Sequence, residues 1–237
     1  MSAIPTSTPT VPLLILAGGR ATRLGVLSQD LPKYLMPVGS QQIFADQHLT
    51  WVRDQGFKEV FLSIGYLGPM IRDYCGSGER WNLQIKYIED GPHPLGTGGA
   101  VRASLTHSYE NLCITYGDTL LSFDVANFIA NFLKSSYQAS VCIYENKVPG
   151  HICNVNWRPP LLTYDKAHPN SSWKYIDYGF LIMRRTFIES FPTKAPLDLA
   201  LPLSESSYQD QISAFLATER FWEIGDPEAL EEFKKRT

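Results

Sequence analysis

Hydrophobic positions along this chain fall into two alternating kinds of run. Uninterrupted apolar stretches occur at VPLLILA (11–17), EVFLSIG (59–65), NLCITYGDTLL (111–121) and ASVCIYEN (139–146), and they predict strands covered on both faces. QIKYIED (84–90) reads as a further strand. Between them, FADQHLTWVRDQG (44–56) has helical spacing and a glycine stop, GPMIRDYCG continues helical, and a helix is predicted near 124–135. The glycine-rich GPHPLGTGG reads as a loop leading into a short helix around 100–107. Beyond residue 150 the pattern shortens to ICNVNW, LLTYDK and YIDYGFLIMRR, which predict a small β-layer. The chain ends on PEALEEFKKR, with Asp226 as N-cap, Pro227 at the first helical position and charges running acid to base along the helix dipole.

Strand and helix alternate through about residue 145, which predicts an α/β fold with a doubly wound, mostly parallel, Rossmann-like sheet. Ligands of such sheets bind at the carboxyl ends of the strands, where the glycine loops fall. With no internal repeat and no long linker, residues 11–237 are expected to form a single domain behind a leader of residues 1–10.

The 21 Lys and Arg against 24 Asp and Glu leave a net charge of −3, so neither nucleic acid nor an anionic membrane is an expected partner. Any anion site must be local. The leader carries no Lys or Arg, and VPLLILA is too short for a signal core or a membrane span, so a cytoplasmic location is expected. The four cysteines, Cys75, Cys113, Cys142 and Cys153, show no metal-ligand spacing and read as reduced thiols. The five histidines are scattered, and no zinc site is expected.

One loop is different. LAGGRATRLGVLSQDLPKYLMPV (16–38) follows the first strand with adjacent glycines Gly18 and Gly19, then Arg20, Arg23 and Lys33, with Pro32 and Pro37 stiffening the chain around the lysine. Glycines let consecutive N–H groups converge on one point, and guanidinium forks suit phosphate oxygens. These residues predict a triphosphate cradle with an ammonium held in a fixed place. It is neither a GxGxxG fingerprint nor a Walker loop.

The segment is similar to LAGGxGTRLxxxxxxxPKxLxPV, the signature of the sugar-1-phosphate nucleotidylyltransferases. The resemblance continues in family order through PLGTGGA (94–100), YGDTLL (116–121), DYGFLIM (177–183) and FWEIGDPEALEEF (221–233). It implies a nucleotide-diphospho-sugar transferase fold, with an NTP-binding part over about 11–146 and a sugar-binding part over about 147–237. It implies attack of a sugar 1-phosphate on the α-phosphorus of an NTP, with Mg²⁺ as cofactor and Arg23 and Lys33 as the catalytic cations. Leu16, Ala17, Gly18, Gly19, Arg20, Gly96, Gly98 and Asp118 would contact nucleotide. Asp118 and Glu223 would hold the metal, Asp226 being the competing carboxylate explained by its cap.

Asp165 and Lys166, in YDKA where relatives carry EKP, would take a sugar hydroxyl and the acceptor phosphate, with Lys174 a rival for the phosphate. Asp177 would line the sugar pocket or make a structural bond in the β-layer. PLGTGGA looks most like the guanylyltransferases, and Glu89 or Asp90 would accept from guanine's paired N–H and NH₂.

The nearest resemblance is to short bacterial enzymes acting on heptose, mannose or muramic acid 1-phosphates, which implies a role in surface polysaccharide or glycoconjugate synthesis. Besides YDKA for EKP, Ala21 stands where the family has glycine, Tyr34 replaces a proline, and Cys153-Asn154 replaces Tyr-Gly. Transfer from UTP or CTP to another phosphorylated acceptor, such as N-acetylmuramate 1-phosphate or a non-sugar phosphate, is the alternative within the class. A non-catalytic nucleotide-sugar sensor is the alternative outside it. A monomer and a homodimer are equally compatible with the sequence.

Overall fold

The computed structural model describes residues 11–147 and 152–236; the leader assigned to residues 1–10 lies outside them. The apolar run after Val11 forms β1 (Leu13–Leu16), followed by short 3-10 turns and α1 (Phe44–Asp54). Next come β2 (Glu59–Ile64), α2 (Gly68–Cys75), β3 (Gln84–Glu89), α3 (Gly96–Ala103) and β4 (Asn111–Tyr116). The chain continues through β5 (Thr119–Leu120), α4 (Val125–Leu133), β6 (Ala139–Glu145), β7 (Val155–Arg158), β8 (Leu161–Tyr164) and β9 (Tyr175–Arg184). It closes with α5 (Arg185–Glu189), α6 (Ala200–Ser207), β10 (Ile212–Ala217), β11 (Trp222–Glu223) and α7 (Pro227–Arg236).

The main sheet runs β10-β6-β9-β4-β1-β2-β3, with β7 and β8 attached beside β9, and β11 pairs β5 in a separate two-stranded ribbon. β1 is parallel to both β2 and β4, and only β9 runs against its neighbours β4 and β6 in the long path. Alternate residues of β1 feed opposite faces. Leu13 and Ile15 join a core with α1, α2, α4 and α7, while Leu14 joins one with α3, α5 and α6. That is why the run is apolar without interruption. β2 and β3 lie to one side of β1 and β4 to the other, so the chain reverses its winding between β1 and β4. This reversal is where doubly wound sheets open a ligand crevice.

Three boundaries differ from the sequence pattern. The run 111–121 is broken at Gly117, where the chain turns out of β4 and starts β5. The helix expected near 100 starts at Gly96, so part of GPHPLGTGG is helical. The strand Ile212–Ala217 extends the sheet where the pattern predicts none. The C-terminal helix follows its caps: Asp226 Oδ1 accepts from the Ala229 N–H at 2.9 Å. Cys75, Cys113 and Cys142 are buried, Cys153 is half-buried, and all four are free thiols. Among the described residues no helix is long and apolar enough to cross a membrane.

His48 on α1 is fully buried among Tyr34, Phe44 and Trp51, and neither ring nitrogen has a hydrogen-bond partner among the described residues. Burial pushes its pKa down from 6.5 to about 4. The unfolded chain therefore takes up a proton below pH 6.5 that the folded chain refuses, and stability falls as pH drops from 6.5 towards 4. At about 1.4 kcal/mol per unit this amounts to about 3 kcal/mol. Urea unfolding of His48→Phe and the parent at pH 7 and pH 4.5 should show the parent losing more stability on acidification. Equal losses would refute the assignment.

Candidate active site

At the reversal between β1 and β4 the structure opens a cleft of about 290 Å³, floored by the ends of both strands. Leu16, Ala17, Gly18, Gly19 and Arg20 leave β1 along its edge. The Ala17 N–H donates to Ser63 O at 2.9 Å and the Tyr66 N–H to Gly18 O at 3.3 Å, which tie the loop to the end of β2. On the other wall, the Gly117 N–H donates to Leu16 O. A Cβ at Gly117 would stand 2.8 Å from the Ala17 Cβ, so only glycine allows the two strand ends this close.

Ala21 takes the left-handed conformation, φ 51°, at the position where the family resemblance has glycine. That costs an L-residue about 1–2 kcal/mol. Its carbonyl accepts from the Leu24 N–H and the Ser28 hydroxyl, both at 2.9 Å, and these bonds hold the turn.

Lys33 sits on a single 3-10 turn, Lys33–Leu35, whose Tyr34 and Leu35 are buried. Its ammonium reaches the Asp118 carboxylate at 2.7 Å across the cleft, with the two side chains 17% and 22% exposed. Asp118 also accepts from the Thr119 hydroxyl at 3.0 Å. The β5–β11 ribbon sets Glu223 opposite Thr119, and the Ile224 N–H donates to Asp118 O at 3.0 Å. Asp118, just before β5, and Glu223, in β11, are far apart in sequence yet lie at the same end of this ribbon. Arg23 lies on the Glu223 side: a Cβ at Gly225 would be 3.1 Å from Arg23 Nη2 and 3.3 Å from Glu223 Oε2. Among the described residues no group of three or more His, Cys, Asp and Glu side chains is placed to hold a metal. Two hard carboxylates beside a phosphate cradle nonetheless fit Mg²⁺, which takes one or two carboxylates and draws its other oxygens from phosphates and water.

At the far end of the cleft the structure separates the two acids that the sequence leaves open. Glu89 pairs with Arg72 on the outside. Asp90 lines the cleft, its carboxylate against Gly65 and Gly18, and burial raises its pKa above the usual carboxylate value. Gly96 and Thr97 line the opposite wall. Gly98 does not. Its N–H donates to Leu197 O at 2.8 Å, and a Cβ there would stand 2.8 Å from the Leu197 Cγ. The glycines of PLGTGGA make room for the Leu197 segment as well as for a ligand, which explains glycine inside α3 despite its poor helix propensity.

On the acceptor side, Lys166 extends beside Tyr116, a cleft residue, with its ammonium 5.6 Å from the ring centre. It stands 3.3 Å from Asp177 Oδ2, which also accepts from the Tyr164 hydroxyl at 2.9 Å. The Asp177 side chain is only 4% exposed. Its Oδ1 accepts from the Gly179 N–H, and its own N–H donates to Asn154 Oδ1. Asp177 therefore makes the structural bonds of the β-layer and tethers Lys166. Lys174 is exposed just before β9.

Asp165 is not brought to the cleft. Its Oδ1 accepts from the His168 and Ala167 N–H groups at 2.9 and 2.8 Å, and Oδ2 lies 3.3 Å from His168 Nδ1. These bonds, the His168 N–H foremost, lower its pKa and close the 165–168 turn. Tyr116, Tyr164 and Ser63 were not singled out from sequence. Only Tyr116 carried a signal, as the residue before Gly117-Asp118.

The fold and this cleft define a nucleotidyltransferase: the chain belongs to the nucleotidyl transferase family, whose profile matches residues 13–151. Among particular proteins it is similar to the D-glycero-alpha-D-manno-heptose 1-phosphate guanylyltransferase of Campylobacter jejuni, at 24% identity over 91% of this chain and 95% of that one. It is also similar to the enzyme of the same name from Aneurinibacillus thermoaerophilus, at 26% over 94% and 96%. Among solved structures, HddC from Yersinia pseudotuberculosis superposes with a TM-score of 0.80 at 25% identity, covering 95% of this chain and 99% of that one.

Proposed function

We propose that the protein joins an NTP, GTP in preference, to a sugar 1-phosphate of the heptose or mannose type, giving an NDP-sugar and pyrophosphate for glycoconjugate synthesis. The observation that carries this reading is the Lys33–Asp118 contact at the reversal of the sheet, with Glu223 on the neighbouring strand. A cation and two carboxylates at the mouth of a glycine cradle suit transfer between two polyanions, where catalysis is positioning and charge cancellation.

An acceptor phosphate oxygen forms the new bond to the α-phosphorus. The bridging bond to the β-phosphate breaks, and its electron pair leaves with pyrophosphate. The backbone of Gly18 and Gly19, with Arg20, cradles the triphosphate, and Arg23 meets the leaving pyrophosphate. Lys33 lies where charge gathers on the α-phosphoryl oxygens, and Lys166, tethered by Asp177, meets the acceptor phosphate. Mg²⁺ held by Asp118 and Glu223 would neutralise the phosphate charge. Asp90 accepts from the N–H and NH₂ edge of guanine, a pairing that uracil and thymine lack. The NTP part then corresponds to about 11–146 and the acceptor part to about 147–237. Free thiols and phosphorylated substrates both suit a reaction in the cytoplasm.

Pyrophosphate release with Mg²⁺, measured for GTP, ATP, UTP, CTP and dTTP against heptose, mannose, glucose, N-acetylglucosamine and N-acetylmuramate 1-phosphates, tests the reading. GTP with the heptose or mannose acceptor should give the highest kcat/KM. A preference for another base overturns the role of Asp90, and no release with any pair overturns the reaction.

A further inference from the structure

The main sheet ends in β3 on one side and β10 on the other, and the two edges are built differently. β3 carries Gln84, Lys86 and Glu89, with Lys86 paired to Glu59 and Glu89 to Arg72. Charged side chains along an outer strand keep a further strand from adding to it. β10 reads ISAFLA, with neither charge nor proline. It pairs with β6 in unbroken register from Ile212 to Ala217, so no bulge bends it away. Among the described residues no strand lies beyond it.

The backbone shows which groups face outwards. Gln211 O accepts from the Gln138 N–H at 2.9 Å, so the odd-numbered positions of β10 turn towards β6. Alternation along the strand turns the N–H and C=O of Ile212, Ala214 and Leu216 to the open side. Ile212 is buried, whereas Ala214 is half-buried and Leu216 is 38% exposed. The accessible stretch is therefore Ala214 to Leu216. A second copy laid antiparallel on it, about a two-fold axis through Phe215, sets Ala214 of each copy opposite Leu216 of the other. Each such pair exchanges two N–H···O=C bonds and places a small side chain against a large one on one face. On the other face Phe215, half-buried against Phe128 with ring centroids 5.3 Å apart, meets its own copy. The reversal also brings Asp210, before the strand, towards Arg220, after it, so opposite charges face each other at both ends of the seam.

A strand edge alone is small, since a stable interface takes about 800 Å² from each partner. The surroundings of β10 supply more. Eight large apolar side chains are exposed among the described residues, and four of them are Leu161, Leu201, Tyr208 and Leu216. Leu161 is on β8, Leu201 on α6, Tyr208 at the end of α6 and Leu216 on β10 itself. β8 packs against both α6 and β10, so this surface gathers around the uncharged edge. β6, β9 and β4 stand between β10 and β1, so a partner here leaves the nucleotide cleft open.

We propose that the protein is a homodimer in solution, joined through β10 of two copies into one continuous sheet. The partner is a second copy because the seam is complementary to itself: Ala214 to Leu216, Phe215 to Phe215, Asp210 to Arg220.

The test is sedimentation equilibrium of the full chain over a dilution series, a readout independent of turnover. The parent should run as a species of twice 26.7 kDa that dissociates on dilution. Leu216→Lys changes an exposed side chain and sets ammonium groups against the seam, so its dimer dissociation constant should rise at least about tenfold. Phe215→Cys, made in a Cys153→Ala background, should cross-link two copies on oxidation, because a non-hydrogen-bonded antiparallel pair brings its Cα atoms to about 4.5 Å. Ser213→Cys in the same background, two residues from the axis, should not. Should Phe215→Cys fail to fold, Leu216→Lys decides alone. A parent that stays monomeric, a dimer equally tight in Leu216→Lys, or equal cross-linking at both cysteine positions would overturn the proposal.

Discussion

Lys33→Ala lowers kcat for pyrophosphate release by about 10²- to 10³-fold, the usual effect of removing one donor aimed at developing charge. The geometry gives the reason. Lys33 is held on a one-turn helix between Pro32 and Pro37, and its ammonium is fixed 2.7 Å from Asp118 in the wall of the nucleotide cleft. In the proposed mechanism this position sets it beside the α-phosphate of a bound nucleotide. The packing of that turn is carried by Tyr34, Leu35 and Met36, all buried, so the alanine variant should keep its fold and its melting temperature. GTP affinity should change much less than kcat, because the glycine cradle and Arg20 remain. Lys33→Arg separates charge from shape: a planar fork on a longer stem restores the charge without the point geometry, and it should recover only part of the loss. Turnover within twofold of the parent in Lys33→Ala would remove the lysine from the mechanism.

The residues that were legible in the sequence are those whose neighbours are local or whose position is fixed by a strand end. Gly18, Lys33 and Asp118 follow buried strands or sit in a loop with its own stiffening, and the parallel sheet brings their ends to one edge. The strands β1, β2, β4 and β6 were visible because burial on both faces leaves an unbroken apolar run. What was not legible depends on partners distant in sequence. The glycines of PLGTGGA look like a loop, yet α3 begins among them because Leu197 packs into the space their missing Cβ atoms leave. The strand ISAFLA (212–217) depends on pairing with β6, and a short, mainly apolar run cannot by periodicity be told from a buried helix segment.

Asp165 shows the opposite failure. A motif placed it in the sugar site, but a short carboxylate side chain finds backbone N–H groups two and three residues ahead and closes its own turn. The tether that Tyr164 and Asp177 place on Lys166 joins two strands of the β-layer through side chains alone, so no periodicity could have revealed it.

Asp118→Asn lowers turnover by at least about 10²-fold, comparable to the loss of one preorganised electrostatic contact, and raises the Mg²⁺ concentration needed for half-maximal rate. The amide keeps the size of the side chain, and its oxygen can still accept from Thr119, so the β4–β5 turn should hold. It loses the negative charge, and its NH₂ group faces the Lys33 ammonium without being able to accept from it. Glu223→Gln, on the paired strand, should produce the same shift in Mg²⁺ requirement. The decisive comparison is the double variant. If both carboxylates hold one ion, removing the second after the first takes away little more, and the two losses fall well short of multiplying. Independent, fully multiplicative losses would mean that the carboxylates act separately, and the shared metal site would fall. An unaltered Mg²⁺ titration in Asp118→Asn would remove Asp118 from the ligand set and leave the Lys33 contact as its sole role in the cleft.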